Sequence, residues 1–133
     1  MNSSAISILL VDDDELVREA IGAYLEDEGF TLHYAISGEE ALAAIIRIQP
    51  TVCITDMRLS GISGEAFIRE AHALCPQSCY LIHTGMAYTL SEGLRAIGMT
   101  PADVFQKPII SFTTFIDRIR TLAASGGRHH AAT

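Results

Sequence analysis

Asp12, Asp13 and Asp14 directly follow the apolar run Ile6 to Val11, and Asp56 directly follows Thr51 to Thr55. Thr84 closes the apolar segment that begins at Cys79, and Lys107 follows the short segment Asp103 to Gln106. If each run is a buried strand, these polar groups share one edge of a sheet. Ligands of open α/β sheets lie beyond that edge, outside the carboxyl ends of the strands. Carboxylates crowded there repel one another and raise one another's pKa values. A hard divalent cation relieves the repulsion. Mg²⁺ takes oxygen ligands, commonly one or two carboxylates together with a phosphate oxygen. Lys107 adds a compact positive charge for an anion, and Thr84 adds a hydroxyl donor. The set describes a site for a phosphoryl group beside a metal. A carboxylate can itself be the nucleophile in phosphoryl transfer, while metal and lysine neutralise the oxygens of the transferring group. Asp56, alone at the end of its strand, is the candidate nucleophile.

Each residue also has a plainer reading. Asp12, Asp13 and Asp14 suit a helix N-terminus, where acids are favoured. Asp56 and Lys107, both set after apolar runs, weigh against capping alone. His83 next to Thr84 reads as a packed or solvated histidine rather than a catalytic one. His33 and His72 read as surface residues, and Arg128-His129-His130 as part of a frayed tail.

The positioning elements follow from periodicity. Ile6 to Val11 is a short run rich in branched residues, which suits a strand buried on both faces. Leu16, Val17, Ala20, Ile21, Tyr24 and Leu25 recur at helical spacing, capped by Asp13 or Asp14 and ended by Gly29. Phe30 to Ala35 reads as a second strand. Ser37 and Glu40 have capping-box spacing before a helix through Ala41, Leu42, Ile45 and Ile46, which Pro50 ends. Thr51 to Thr55 is the third strand, followed by a loop over 57–63 and a helix from Gly64 to Leu74. Cys79 to His83 is the fourth strand. Leu90, Leu94 and Ile97 suggest a fourth helix that Gly93 weakens. Asp103 to Gln106 is the fifth strand. Phe112, Phe115, Ile116, Ile119 and Leu122 form a final amphipathic helix, a core stripe rather than a cofactor box. Strands alternating with helices predict a parallel sheet with helices on both faces, joined by right-handed crossovers.

Composition excludes several classes. The chain has 133 residues, 49% of them hydrophobic and 19% charged, which suits one folded domain rather than a disordered segment. Nine basic against sixteen acidic side chains give a net charge of −7 with no basic run, so direct nucleic-acid binding is not expected. No apolar run approaches the roughly 20 residues of a membrane-spanning helix, and the start carries no export pattern. Cys53, Cys75 and Cys79 are odd in number and read as ordinary reduced thiols. The expected location is cytoplasmic.

Val11-Asp12-Asp13, Thr55 to Gly61 with Gly64, Thr84, and Lys107-Pro108 together resemble the response-regulator receiver domains of two-component signalling, of the single-domain, chemotaxis type. The likeness covers residues 5–124, leaving 125–133 as a disordered tail. It implies a flavodoxin-like, doubly wound α/β fold with five helices and a five-stranded parallel sheet in the order 2-1-3-4-5. Asp56 would be the phosphoacceptor, served by a histidine kinase or phosphotransfer protein. Asp13 and Asp56 would ligate Mg²⁺ directly, Asp12 through water, and Arg58 through its backbone carbonyl. Thr84 would move to the phosphoryl group, Lys107 would pair with it, and the Lys107-Pro108 bond would be cis. Asp14, outside the pattern, would cap a helix or be solvated. The implied output is contact with a downstream protein, by way of the fourth helix, fifth strand and fifth helix. A receiver dimer is a further partner, no membrane partner is implied, and the chain is not an enzyme in the usual sense.

Three positions depart from the family pattern. Ser60 stands where proline is usual, which predicts a looser loop. Gly85 follows the switch threonine. Val104 takes the usual aromatic position, and Phe105, one residue later, must face the other side of the sheet. Two rival readings follow: a phosphorylation-independent, receiver-like adaptor, and a phosphohydrolase with Asp56 as nucleophile. The second lacks a general acid two residues on, where Arg58 stands.

Overall fold

Alternate residues of each buried strand must face opposite ways, so two layers of helices need two cores. The computed structural model describes residues 6–125 and shows this division. Strands β1 (Ser7–Val11), β2 (Thr31–Ala35), β3 (Val52–Thr55), β4 (Cys79–Thr84) and β5 (Val104–Gln106) form one sheet in the order β2-β1-β3-β4-β5. All four strand pairs are parallel. Leu9, Val11, Cys53, Tyr80 and Ile82 point to one face. There they pack against α2 (Gly38–Ile48), α3 (Gly64–Leu74) and α4 (Glu92–Ala96). Ile8, Leu10, Val52, Ile54, Cys79 and Leu81 point to the other face, against α1 (Glu15–Asp27) and α5 (Phe112–Ser125).

The same alternation separates Val104 from Phe105. Val104 packs on the α2–α3–α4 side beside Leu90 and Tyr88. Phe105 packs on the opposite side, edge-on to Phe115 at 5.0 Å between ring centroids. The aromatic ring one residue along therefore serves a different core.

Local chemistry sets the element ends. Asp14 caps α1, its side chain accepting from the amides of Leu16 and Val17, so Asp14 rather than Asp13 is the cap. Ser37 caps α2 by accepting from Glu40 N, while the Glu40 carboxylate accepts from Ile36 N at 2.8 Å. That contact is one residue before the usual capping-box partner.

Four boundaries or placements differ from expectation. Phe30 is buried in the core but precedes β2. Asp103 belongs to a 3-10 turn, Pro101–Asp103, rather than to β5. Its carboxylate accepts from Thr100 N at 2.9 Å and from Arg118 Nε at 2.7 Å, a capping box that competes with strand pairing. The fourth helix is only Glu92–Ala96; Leu90 lies before it, and Gly98, at φ 99°, follows its C-cap Ile97. His33 and His72 are half-buried rather than surface residues.

The three cysteines are free and buried. No helix among the described residues is long and apolar enough to cross a membrane. The tail expected to be disordered, with Arg128-His129-His130, lies from residue 126 onward outside the described residues.

Candidate functional site

The parallel register brings the C-terminal ends of β1, β3 and β4 level, because Val11 pairs with Thr55 and Thr55 with Ile82. The residues after those ends therefore meet at one rim. Asp12 and Asp56 are buried there, with Thr84 on the neighbouring strand. Lys107, after β5, reaches across. Its Nζ donates to Asp12 Oδ2 at 2.9 Å and to Asp56 Oδ2 at 2.7 Å. Its backbone N donates to the Thr84 carbonyl at 2.8 Å, which ties the lysine to the edge of β4. The Lys107-Pro108 peptide bond is cis.

The two carboxyls respond differently to the same ammonium. Burial pushes Asp12 above its ordinary value, despite the hydrogen bonds from the Asp14 amide and Lys107. Burial pushes Asp56 up as well, but Lys107, the Arg58 amide and the Thr84 side chain outweigh it and hold Asp56 below its ordinary value. Burial opposes the charge on Lys107, yet its two carboxylate partners raise its pKa overall. Each carboxylate faces the cation, which favours the charged forms, while burial at the rim opposes them.

The surrounding backbone shapes Asp56. The Arg58 amide donates to Asp56 Oδ1 at 3.2 Å, while the Arg58 side chain is exposed. The carbonyl of Asp12 accepts from Arg18 Nη1 at 2.7 Å, a contact that the helical pattern alone does not reveal. Thr84 Oγ1 accepts weakly from Met86 N at 3.4 Å.

Asp13 does not join the triad. It is exposed, and its Oδ2 accepts from both the amide and the hydroxyl of Ser60, at 3.3 and 3.1 Å. Among the described residues no three carboxylate, histidine or cysteine side chains lie together as a metal cage. The loop after β3 is also tethered at Ile62, whose amide donates to Glu39 Oε2 at 3.0 Å. The looser loop expected from Ser60 is therefore a loop pinned at two points. Ser60 and Glu39 were missed as contacts because each depends on a partner at least 23 residues away in sequence.

His83 is buried at the end of β4, 3% exposed, and neither ring nitrogen has a hydrogen-bond partner among the described residues. Phe115 lies 6.3 Å from it between ring centroids. Burial, aided by the Lys107 charge, lowers its pKa to about 4. The folded state binds its proton less readily than the unfolded chain. Its effect on stability is thus absent above the ordinary histidine value of about 6.5, and stability falls as pH drops from there towards 4. His83→Leu is expected to gain about 2 kcal/mol more over the parent at pH 5 than at pH 7, because each pKa unit is worth about 1.4 kcal/mol. Urea denaturation at the two pH values checks this; an equal effect at both would show that the ring does not titrate in this way.

Comparisons with known proteins agree with this architecture. A family model described as the response regulator receiver domain matches residues 8–120. The chain is 37% identical over 106 residues to the C4-dicarboxylate transport transcriptional regulatory protein DctD of Rhizobium meliloti (strain 1021), covering 80% of this chain and 23% of DctD. It is 29% identical over 118 residues to the protein-glutamate methylesterase/protein-glutamine glutaminase 2 of Rhodopseudomonas palustris (strain BisB18), covering 88% of this chain and 32% of that protein. The chain thus spans about a third or less of the length of these curated relatives. The crystal structure of a CheY-like receiver domain protein from Methanospirillum hungatei JF-1 superposes with a TM-score of 0.76 at 25% identity, covering 90% of this chain and 94% of that one. The chemotaxis protein CheY4 of Vibrio cholerae shares the fold with a TM-score of 0.76 at 22% identity, covering 88% of this chain and 98% of that one. The family match takes in all four strand ends that build the rim, and this chain belongs to the response regulator receiver domain family of two-component signalling.

Proposed function

We propose that this domain is a phosphoacceptor switch whose Asp56 takes a phosphoryl group from a histidine kinase or phosphotransfer protein. One observation carries the reading: a single ammonium, Lys107, bridges two buried carboxylates at the rim where the strands end. A cation held between Asp12 and Asp56 marks a place that stabilises negative charge and keeps Asp56 ionised as a nucleophile.

The donor set suits Mg²⁺ in kind, since the hard carboxylate oxygens of Asp12 and Asp56 meet at the rim and Mg²⁺ takes one or two carboxylates together with phosphate oxygens and water. Asp12, Asp13, Asp56 and the Arg58 carbonyl would hold it. Bound there, the metal would neutralise charge on the phosphoryl oxygens.

The chain's own residues account for the rest. An Asp56 carboxylate oxygen bonds to phosphorus as the bond from phosphorus to the donor imidazole nitrogen breaks. The electron pair of that bond leaves with the nitrogen. Lys107, already 2.7 Å from Asp56 Oδ2, meets the added negative charge. The Thr84 hydroxyl accepts weakly from Met86 N and already favours the ionised Asp56, so it is placed to donate to a phosphoryl oxygen there. That movement would pull on the segment between β4 and α4. The affected surface is α4, β5 and α5, where a downstream protein would read the change. Val104 leaves a cleft lined by Tyr88, Leu90 and Pro101 where the family pattern has an aromatic ring, so the pull must be passed on without a ring at that position.

Incubation with acetyl phosphate followed by intact-mass measurement tests the proposal. The expected result is addition of one phosphoryl group that requires Mg²⁺ and is blocked by a chelator. An unmodified chain would favour a phosphorylation-independent adaptor. Steady turnover of a phosphomonoester would favour a hydrolase.

A further inference from the structure

His83 is the polar exception on its face of the sheet. It follows Cys79 and Leu81 in the alternation of β4, so its ring turns to the side that α1 and α5 cover. There it lies at the floor of a groove of about 520 Å³. Leu16, Val17 and Ile21 of α1 form one wall, and Pro108, Ile109 and Phe112, which follow β5, form the other. We propose that this groove binds a small neutral molecule with an apolar ring body and a single hydroxyl or N–H, and that His83 reads that polar group. The groove adjoins Lys107, but binding uses none of the phosphoacceptor chemistry, so the inference stands apart from the function proposed above.

Three observations carry it. First, His83 is 3% exposed, and neither ring nitrogen has a partner among the described residues. Buried polar groups are nearly always bonded, because an unbonded one costs its full desolvation energy. The fold by itself leaves that cost unrecovered. Second, water is a poor remedy. A buried water usually makes about three hydrogen bonds. Among the side chains lining the groove, His83 and Lys107 alone are polar, and the Lys107 ammonium is already shared by Asp12 and Asp56. A molecule with an apolar body and one polar tip matches this lining where water does not. Filling the groove would turn the imidazole so that one nitrogen meets the tip. Third, charge selects a neutral molecule. Asp13, Asp14 and Glu15, which lead into Leu16, are exposed and repel an anion. The apolar walls offer nothing to a cation, and burial beside Lys107 keeps the imidazole uncharged. The volume falls within the range of about 300–1,000 Å³ that small-molecule sites occupy.

A second copy of this chain is the rival occupant, since Leu16 is 76% exposed and Ile110, next to the groove, is 96% exposed. Two copies would bring the acids at the start of α1 towards one another, on a chain of net charge −7. That repulsion favours the small molecule.

The test is titration of the full chain with phenol and, separately, with toluene, two probes of like shape that differ in the hydroxyl. Methyl ¹H–¹³C spectra and the His83 ring signals follow binding. The signals of Val17, Ile21 and Ile109 are expected to move with both probes. The ratio of the phenol to the toluene association constant is expected to fall about three- to tenfold in His83→Leu, the loss of one hydrogen bond. The ratio cancels both the change in groove shape and the different hydration of the probes. Ala20→Phe, at an exposed position on the groove wall, is expected to abolish the shifts for either probe with the fold intact. An unchanged ratio in His83→Leu would overturn the role of His83. Shifts that survive Ala20→Phe, or wild-type shifts away from the groove, would overturn the site. Groove signals that move on dilution of the chain without a probe would show a second copy there and would equally overturn the proposal.

Discussion

Gly64→Ala is expected to destabilise the domain by about 3 kcal/mol or more and to abolish phosphoryl uptake, although Gly64 carries no chemical group. Gly64 is the first residue of α3, and its N–H donates to the Met57 carbonyl at 3.0 Å. A Cβ there would overlap the carbonyl oxygen of Asp56 and lie 2.8 Å from the Met57 Cα. Those obstacles are backbone, not the far end of a flexible side chain. Relief would require moving either the start of α3 or the peptide that carries the phosphoacceptor. Overpacking in a tight site costs about 1–3 kcal/mol and occasionally more; a backbone clash belongs at the upper end. Moving Asp56 would also disturb its 2.7 Å contact with Lys107, so activity should suffer with stability. Gly93→Ala is the natural control. A Cβ at Gly93 meets only the Arg69 side chain, no nearer than 3.5 Å, and alanine is the better helix former. Chemical denaturation of both variants checks the argument; a Gly64→Ala protein within about 0.5 kcal/mol of the parent would contradict it.

Lys107→Ala is the second large effect, and its signature is pH dependence rather than size alone. The lysine holds two carboxylates whose side chains are 2% and 11% exposed. Its removal leaves two like charges buried side by side without a cation, a loss of about 3 kcal/mol at pH 7. Both folded-state pKa values must then rise, through burial and mutual repulsion. A carboxyl with a folded pKa above its unfolded value of 3.8 contributes stability that is full below that value and is lost as pH rises through the folded pKa. The variant should therefore regain stability, relative to the parent, as pH falls from 7 towards 4. In the parent, Asp12 is raised and Asp56 lowered, so their contributions oppose one another over the acid range. Urea denaturation at pH 7 and pH 5 distinguishes the cases. A deficit that does not shrink at pH 5 would mean that the carboxylates of the variant stay hydrated and unperturbed.

Much of this arrangement is legible in the sequence because burial and chemistry conflict openly there. A strand buried on both faces reads as an apolar run, and a polar residue at its end has few reasons to be there other than the rim. Asp12, Asp56, Thr84 and Lys107 are visible for that reason. The opposed directions of Val104 and Phe105 are legible because strand side chains alternate without exception in a regular strand. Other features depend on contacts between distant segments. Ser60 meets Asp13 across 47 residues, and no local pattern marks that pairing. Gly64 is visible as a glycine, but not as one pressed against the phosphoacceptor peptide. The short fourth helix was ambiguous because Leu90, Leu94 and Ile97 fit a helix by spacing, while Gly93 and the turn at Gly98 limit it to one and a half turns of chain. Asp103 could have been read correctly: Thr100 and Asp103 have capping-box spacing around Pro101, and that local bond outcompetes strand pairing.

The central claim is that Asp56 itself carries the phosphoryl group. Phosphorylating the chain with acetyl phosphate and Mg²⁺, reducing the acyl phosphate with borohydride, and sequencing the peptides by mass spectrometry tests it most directly. The account predicts homoserine at position 56 alone, and none in Asp56→Asn. Homoserine at position 12 or 13, or an adduct retained in Asp56→Asn, would contradict it.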